Sequence, residues 1–492
     1  MLVIVGYAAL VITFFLCIYG VGAAIFGVRN SNNAWIDSAR NAMLLTFPLL
    51  SIASLTLVYL LVTNQFQVEY VAAVTSSSMP TYLRVTALWG GQEGSLLFWS
   101  WLLSAFASAV TLRNWKRDRD FLPWVVVVCL ITLGFFLTLI IFFENPFLQL
   151  WLLPTGQVEA SLFAPTGAEL FFPANGRGLN PLLRHPGMII HPPLLYLGFV
   201  SFVIPFAFAI AALITGRTDD RWIKITRRWT LAAWMFLAVG LVLGARWAYD
   251  VLGWGGYWGW DPVEIAAFMP WLTATPFLHS VMIQEKRGMF KHWNFLLMIL
   301  TYDLVIFGTF LSRSGVLSSV HAFAQSAIGP LFFIFIALTL FTSLGLLTYR
   351  WNSLKSETQM QSLLSRESAF LVNNMLFIGI LVVCFWGVLF PLISEVVTGQ
   401  KVTVGPIFYE KATGPLFAGL LLLMGIAPLT AWRASTAKTL GRALWKPFLF
   451  SVVVVVFVAT NGLSGIAALF AVWLCIFVTA VTIYEFWRGA RA

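Results

Sequence analysis

The sequence predicts an all-α integral membrane protein, a polytopic bundle of about 13 transmembrane helices. Of its 492 residues, 60% are hydrophobic and only 10% are charged, whereas soluble domains carry roughly 45–50% apolar and about 25% charged residues. So few charges exclude a water-soluble globule, and so much apolar sequence excludes a disordered chain. The 44 Phe and 22 Trp agree with a membrane protein, because aromatic residues concentrate at the bilayer interfaces.

Thirteen apolar segments approach or exceed the roughly 20 residues that one bilayer-spanning helix needs. Each should be a helix, because a lipid-exposed backbone must satisfy its own hydrogen bonds. The shortest is the twelfth, which ends at Asn461-Gly462. In chain order the predicted spans cover residues 2–26, 41–66, 96–112, 121–143, 191–214, 229–249, 267–283, 294–312, 326–349, 369–393, 414–432, 447–461 and 463–486.

Loop charge predicts the orientation of these spans. With the N-terminus outside, the alternating inner loops and inner end hold 23 of the 30 Lys and Arg, and the outer loops hold 7. Because Lys and Arg accumulate on the cytoplasmic side, this distribution favours an orientation with the N-terminus outside. It also accounts for the net charge of +10 without a nucleic-acid partner.

The outer loops are long and aromatic, which places the expected function on the outer face. They cover residues 67–95, 144–190, 250–266, 313–325 and 394–413. Around the third loop, four tryptophans interleave with four glycines, at positions 247, 254, 258, 260 and 253, 255, 256, 259. The simple interpretation is an interfacial aromatic belt. Because glycine lets a backbone approach a ligand closely, the alternative is a platform for a large flat ligand, with Asp261 and Glu264 as its polar edge.

Two outer histidines flank this loop in sequence. His191 opens the fifth span, and His321 follows the eighth. A lone interfacial histidine often makes only a hydrogen bond, but two at similar depth beside an aromatic loop favour metal or haem ligation, since neutral imidazole is a common axial ligand of haem iron. Their separation excludes a local zinc motif.

The remaining histidines have different predicted roles. His279 lies inside the seventh span, where an ionisable residue is a functional hypothesis by default, and a satisfied interhelical hydrogen bond is the alternative. Asp303, in the eighth span, is a candidate partner for another polar group of the bundle. His185 and His292 are interpreted as solvated or capping residues.

Four motifs in order resemble the haem-lyase subunits of the bacterial cytochrome c maturation system, the CcmF/NrfE type of the haem-handling WWD-domain family. The resemblance extends from about residue 40 to about residue 325 and more weakly beyond. Its motifs are Leu88-Trp-Gly-Gly-Gln-Glu-Gly-Ser95, the segment from Arg177 to Gly198, the Trp-rich loop at about 247–271, and the segment from Gly308 to Ala324 that contains His321.

This resemblance implies a role for each candidate residue. His191 and His321 would be the axial ligands of the haem that is attached, and His279 would bind a second, transmembrane haem b. The substrate haem would lie on the outer-face WWD loop, against Trp254, Trp258, Trp260, Asp261, Pro262 and Glu264.

The resemblance also implies an activity and partners. The family joins haem vinyl groups to the thiols of a CxxCH motif in apocytochrome c. It receives haem from a haem chaperone and reduced apocytochrome from a thiol-handling subunit. This chain has four cysteines but no CxxC motif, which agrees with thiol reduction by a separate subunit.

Residues 1–492 are expected to form a single transmembrane domain that departs from the family at two places. Family members often have Glu-Asn-Ala-Ser where this chain has Glu264-Ile-Ala-Ala267. In the family, the second ligand of haem b is a histidine towards the C-terminus, but no histidine follows His321 in this chain. The family's C-terminal outer domain and last span are therefore expected to be absent. Either a companion chain with a transmembrane histidine would then complete that haem site, or the second haem b would be five-coordinate or absent.

Two other functions compete with haem lyase activity. A haem exporter should show internal repeats or broken helices with midplane charges, and the sequence offers only His279 and Asp303 inside the spans. An electron-transfer subunit should pair histidines within the bundle, where the sequence places His279 alone.

Overall fold

The computed structural model describes residues 1–323, 327–356, 358 and 360–491. Within these residues, thirteen helical spans have the length and composition to cross a membrane. The predicted all-α membrane bundle with thirteen spans is therefore confirmed. The orientation with the N-terminus outside remains a prediction.

The helices are numbered in chain order. The first nine are α1 (Leu2–Arg29), α2 (Asn33–Val62), α3 (Glu69–Val74), α4 (Thr81–Thr86), α5 (Gln92–Asn114), α6 (Leu122–Phe142), α7 (Gly187–Ser201), α8 (Val203–Thr215) and α9 (Arg221–Val251). The others are α10 (Pro262–Arg287), α11 (Lys291–Ser314), α12 (Gly329–Tyr349), α13 (Arg366–Thr398), α14 (Pro406–Ile426), α15 (Ala437–Thr460) and α16 (Ile466–Arg491).

Most helices extend beyond the predicted apolar segments. α15 begins at Ala437, ten residues before the predicted start, because residues that favour helix continue it outside the apolar stretch that hydropathy detects. The fifth span divides into α7 and α8, close to Pro205, which has no N–H to bond to the carbonyl of Ser201. The predicted start of the ninth span, residue 326, lies outside the described residues.

The chain divides into two compact units. The first comprises Met1–Trp271 and Met298–Ser353, and the second comprises Leu272–Leu297 and Leu354–Ala492. In the first unit α1 packs on α2 and α6, α2 packs on α5, and α7 packs on α9. In the second unit α14 packs on α13 and α16, and α15 packs on α16. The single transmembrane domain remains a prediction.

The loop between α6 and α7 contains a small sheet that the sequence did not predict. Its antiparallel strands β1 (Gln149–Leu152), β2 (Val158–Ser161) and β3 (Glu169–Leu170) have the order β2-β1-β3. Strands as short as these give only a weak periodic signal in the sequence.

Backbone hydrogen bonds join this loop to the loop between α2 and α5. The N–H of Leu150 donates to the carbonyl of Gln67 at 2.8 Å, and the N–H of Arg177 donates to Ala72 at 2.8 Å. The indole of Trp89 then donates to the carbonyl of Met188 at 3.0 Å. These bonds fix the first turn of α7 next to the Leu88–Ser95 motif.

Candidate functional site

The site begins with the close packing of α7 on α9. A Cβ atom added at Gly198 would lie 2.6 Å from the backbone nitrogen of Leu237, and one added at Gly240 would lie 2.9 Å from the side chain of Leu195. Both helices can approach this closely because glycine has no side chain. The contact sets the position of His191 on α7 against the backbone of α9.

His191 is held by α9 in one orientation. Its Nδ1 lies 2.8 Å from the carbonyl oxygen of Gly240, and since a carbonyl can only accept, Nδ1 carries the hydrogen. Gly244 gives the ring its space, because a Cβ there would lie 2.5 Å from the Cε1 atom of His191. The indole of Trp247 packs edge-on against the imidazole at 5.4 Å. The Nε2 lone pair of His191 therefore remains available to a ligand.

His321 is held in a similar way by a carboxylate. Its Nδ1 lies 3.1 Å from Oδ1 of Asp261, and the Ser319 hydroxyl donates to the same oxygen at 2.6 Å. A histidine that gives its Nδ1 hydrogen to a carboxylate keeps Nε2 free and its ring orientation fixed, as is common for metal-binding histidines. The chain thus presents a second imidazole with an available Nε2.

Asp261 is held in its charged form by this network. Its side chain is 9% exposed, and burial alone would raise its pKa. The hydrogen bonds from His321, Ser319 and the Val263 N–H together outweigh burial and lower the pKa below the usual value for aspartate. The carboxylate is consequently an acceptor for His321 at neutral pH.

Both histidines line the same cavity, which has a volume of about 330 Å³. This volume lies near the lower end of the roughly 300–1,000 Å³ that small-molecule sites occupy. Its other lining residues include Trp89, Tyr196, Trp247 and Phe323. The structure thus brings together the two histidines that the sequence singled out, and their binding of iron stays a prediction.

The tryptophans of the outer loop lie beside this cavity. Trp254 packs on Gly259, where an added Cβ would meet the indole at 2.5 Å, and its ring lies 6.4 Å from the His321 ring, edge to face. Trp258 packs edge-on against Trp260 at 5.9 Å. Among the described residues, the cavity lining includes none of these three side chains.

The acidic residues of the loop stabilise its backbone. The Glu264 carboxylate accepts hydrogen bonds from the N–H groups of Gly259 and Asp261, at 3.1 and 3.2 Å. Pro262 is the first residue of α10, where its missing N–H costs nothing. Glu264 and Pro262 thereby fix the loop that positions Asp261, and their contact with haem stays a prediction.

Trp89 and Tyr196 were not given a binding role from the sequence, and Trp247 was considered only as one of the four tryptophans of the possible platform. Trp89, Tyr196 and Trp247 line the cavity together with His191. The signal was present, because Trp89 and Tyr196 lie in motifs that carry the resemblance, and Trp247 is the first of the clustered tryptophans. Only their convergence on one cavity distinguishes them from ordinary interfacial aromatics.

His279 belongs to the second compact unit and lies in a polar cluster of its own. Its Nδ1 is 2.8 Å from the side-chain amide of Asn373, and the ring of Phe370 lies 5.3 Å away. The hydrogen bond fits the alternative of a satisfied interhelical contact. A role of His279 in haem binding remains a prediction.

The other polar predictions concern His185, His292 and Asp303. The ring of His185 accepts a hydrogen bond from the N–H of Gly187 at 3.1 Å, next to the start of α7, which fits the interpretation of His185 as a solvated or capping residue. His292 is the second residue of α11. Asp303 accepts a hydrogen bond from the Thr339 hydroxyl at 2.7 Å, so that it does pair with a polar group of the bundle.

Comparisons with known proteins show which family this chain is similar to. The family model "Cytochrome C assembly protein" matches residues 89–318, a range that contains His191 and Asp261 but ends before His321. A solved structure titled "Cytochrome c Heme Lyase CcmF" superposes with a TM-score of 0.78 at 31% identity, covering 99% of this chain and 71% of that chain.

Named relatives match over most of the chain. The cytochrome c-type biogenesis protein CcmF of Escherichia coli is 38% identical over 95% of this chain and 70% of its own length. The CcmF protein of Haemophilus influenzae is 40% identical over 83% of this chain and 60% of its own length, and ccl1 of Rhodobacter capsulatus is 38% identical over 100% and 72%. The chain therefore spans about 60–72% of the length of these relatives, and it belongs to the CcmF-type family of cytochrome c-type biogenesis proteins.

Proposed function

We propose that this chain is a haem lyase, which attaches haem covalently to the CxxCH thiols of apocytochrome c. The observation that supports this proposal is that His191 and His321 line one cavity. The Nδ1 atom of each is hydrogen-bonded, to the Gly240 carbonyl in His191 and to the Asp261 carboxylate in His321. Two imidazoles with available Nε2 atoms match the axial coordination of haem iron. The substrate haem would be held between them, with Trp89 and Trp247 as aromatic walls.

The reaction adds the S–H of a cysteine across a haem vinyl group and forms a thioether. The chain's residues contribute mainly by positioning, because correct orientation of two reactants can supply about 7–11 kcal/mol of the barrier. His191 and His321 fix the haem, and the Trp254–Glu264 loop fixes His321 through Asp261. The histidine of the arriving CxxCH motif would replace one of these imidazoles and so release the product.

We infer the partners and the location from the same function. The partners are apocytochrome c, a haem chaperone that supplies haem b, and a subunit that keeps the apocytochrome thiols reduced. The multi-pass chain lies in the lipid bilayer of the bacterial inner membrane, with the cavity facing the periplasm, as its loop charges predict. No step of this reaction requires a nucleic acid.

Covalent attachment in a purified system tests the function. The 492-residue chain is supplied with haem under reducing conditions and with an apocytochrome that carries CxxCH, and covalent haem is detected on the denatured product. We expect product with CxxCH and none with SxxSH. Haem bound with a low-spin spectrum, but transferred without a covalent bond, would overturn the proposal in favour of a haem exporter. Haem that remains on the chain would favour an electron-transfer subunit.

Replacement of Asp261 by asparagine is expected to weaken haem binding at His321 by about 10- to 100-fold, as loss of such outer-shell carboxylates typically does. The amide oxygen is a weaker acceptor than the carboxylate, so that the ring of His321 is oriented less firmly. Haem titration of the purified variant measures this effect. Asp219→Asn, on an exposed aspartate outside the cavity, is the matched control, and equal affinities of the two variants would contradict the role of Asp261.

A second haem b at His279 is a separate proposal, and the described residues support only one of its ligands. The imidazole of His279 already contacts Asn373 and Phe370, and a bis-histidine haem needs imidazoles on both faces of the iron. We expect the 492-residue chain by itself to bind no bis-histidine haem through His279. A companion chain would have to supply the other histidine.

Spectroscopy of the chain purified alone checks this expectation. A stoichiometric low-spin haem b that survives His191→Ala and His321→Ala, and disappears with His279→Ala, would contradict it. The double variant at residues 191 and 321 removes the substrate haem, so that any remaining signal reports on His279.

A further inference from the structure

Arg313 is a buried cation at the wall of the histidine cavity. Only 2% of the residue is exposed. Its Nη1 donates to the Ser95 hydroxyl at 2.7 Å, and its Nη2 donates to the Tyr196 hydroxyl at 3.1 Å. Its guanidinium also stacks on the ring of Phe323 at 4.9 Å. Tyr196 and Phe323 both line the cavity, so that Arg313 lies directly behind its wall.

The charged guanidinium of Arg313 is surrounded mainly by neutral groups. Within the described residues no carboxylate lies at ion-pair distance from it, although Glu93 interacts with it at longer range. Its Nε is buried without a hydrogen-bond partner. Burying a cation with neutral partners is costly, and an anion that enters the cavity would offset part of that cost.

Tyr196 connects Arg313 to the cavity lining, because its hydroxyl is hydrogen-bonded to the guanidinium. Because a guanidinium can only donate, the Tyr196 oxygen must accept from it, and the hydroxyl hydrogen must point elsewhere. Within the described residues no acceptor receives that hydrogen. Because Tyr196 lines the cavity, we infer that this hydroxyl can donate to a ligand there, and the adjacent cation would strengthen such a bond.

We propose that the Arg313–Tyr196 pair is a carboxylate-binding subsite that recognises a propionate of the haem. This inference rests on the proposed function, in which haem is the cavity's ligand. The propionates are the carboxylates of haem b and lie on the edge of the macrocycle opposite the vinyl groups. Binding a propionate at Tyr196 would direct the vinyl edge away from α7 and α11, and so determine which edge meets the apocytochrome thiols.

Comparison of two haem probes tests the subsite. Haemin carries free propionates, and haemin dimethyl ester has both of them blocked. We expect the wild-type chain to bind haemin about tenfold or more tightly than the ester, since a charge-assisted hydrogen bond is lost. Tyr196→Phe should reduce this ratio to nearly one by weakening haemin binding, while the affinity for the ester stays nearly unchanged.

Additional variants separate recognition from packing. Arg313→Lys keeps the charge and should retain part of the preference for haemin, whereas Arg313→Gln should lose it. Tyr302→Phe is the matched control, because Tyr302 is buried and bonded to Thr132 at 2.9 Å but does not line the cavity. If Arg313→Gln fails to fold, the Tyr196→Phe variant still tests whether the subsite recognises a propionate.

The possible outcomes distinguish this inference from the proposed function. Equal weakening of both probes in Tyr196→Phe, or an undiminished preference for haemin, would overturn the subsite while leaving the haem site intact. Failure of the wild-type chain to give a histidine-dependent low-spin spectrum with either probe would instead overturn the haem site itself.

Discussion

Replacing His191 or His321 by alanine is expected to reduce covalent haem attachment to background while the chain remains folded in the membrane. Each imidazole is fixed by one acceptor, the Gly240 carbonyl or the Asp261 carboxylate, and both line one cavity. If both bind the iron as proposed, loss of either would leave the haem with one protein ligand and no defined orientation. Staining for covalent haem on apocytochrome measures attachment. Extraction of each variant from membranes shows whether the chain is still folded in the membrane.

Imidazole rescue makes the histidine prediction more specific. A His191→Gly variant leaves a space in which added imidazole can bind iron without the tether, so partial recovery is expected. His292→Ala is the matched control, since His292 is the second residue of α11 and lies outside the cavity lining. Full attachment by the double alanine variant at 191 and 321 would refute the assignment.

Replacing Gly244 by alanine is expected to impair the site nearly as much as loss of His191. The new methyl group would lie 2.5 Å from the His191 Cε1 atom, and the ring would have to leave its position against Gly240. Overpacking of this kind costs about 1–3 kcal/mol, which corresponds to roughly a 5- to 150-fold weaker haem complex. Haem titration, together with the ligation state from the optical spectrum, measures the effect.

A glycine in open surroundings provides the control for this substitution. Gly345 lies within α12, and an added Cβ there would meet nothing within 4 Å. Gly345→Ala should leave haem binding unchanged and, if anything, favour the helix. A Gly244→Ala variant with wild-type affinity and spectrum would show that His191 does not bind haem in this position.

The sequence by itself determined the membrane architecture of this protein. All thirteen predicted spans correspond to helices of the structure, because the bilayer imposes one requirement on length and apolarity that each segment meets independently. It also singled out His191, His321 and the tryptophan loop, since ionisable and clustered aromatic residues are conspicuous against 60% hydrophobic sequence. Hydropathy could not detect β1–β3 in the loop after α6, because short strands outside the membrane leave little periodic signal.

Only the tertiary structure decided how the candidate residues meet. His191 and His321 are 130 positions apart. Glycines at 198, 240 and 244 let α7 and α9 pack closely and so set the position of His191, whereas Asp261 positions His321 from outside the cavity lining. Tyr196 reaches the cavity on α7, and Trp89 is held there by its bond to Met188. Such contacts depend on the approach of helices distant in sequence, which hydropathy and residue spacing within one segment do not specify.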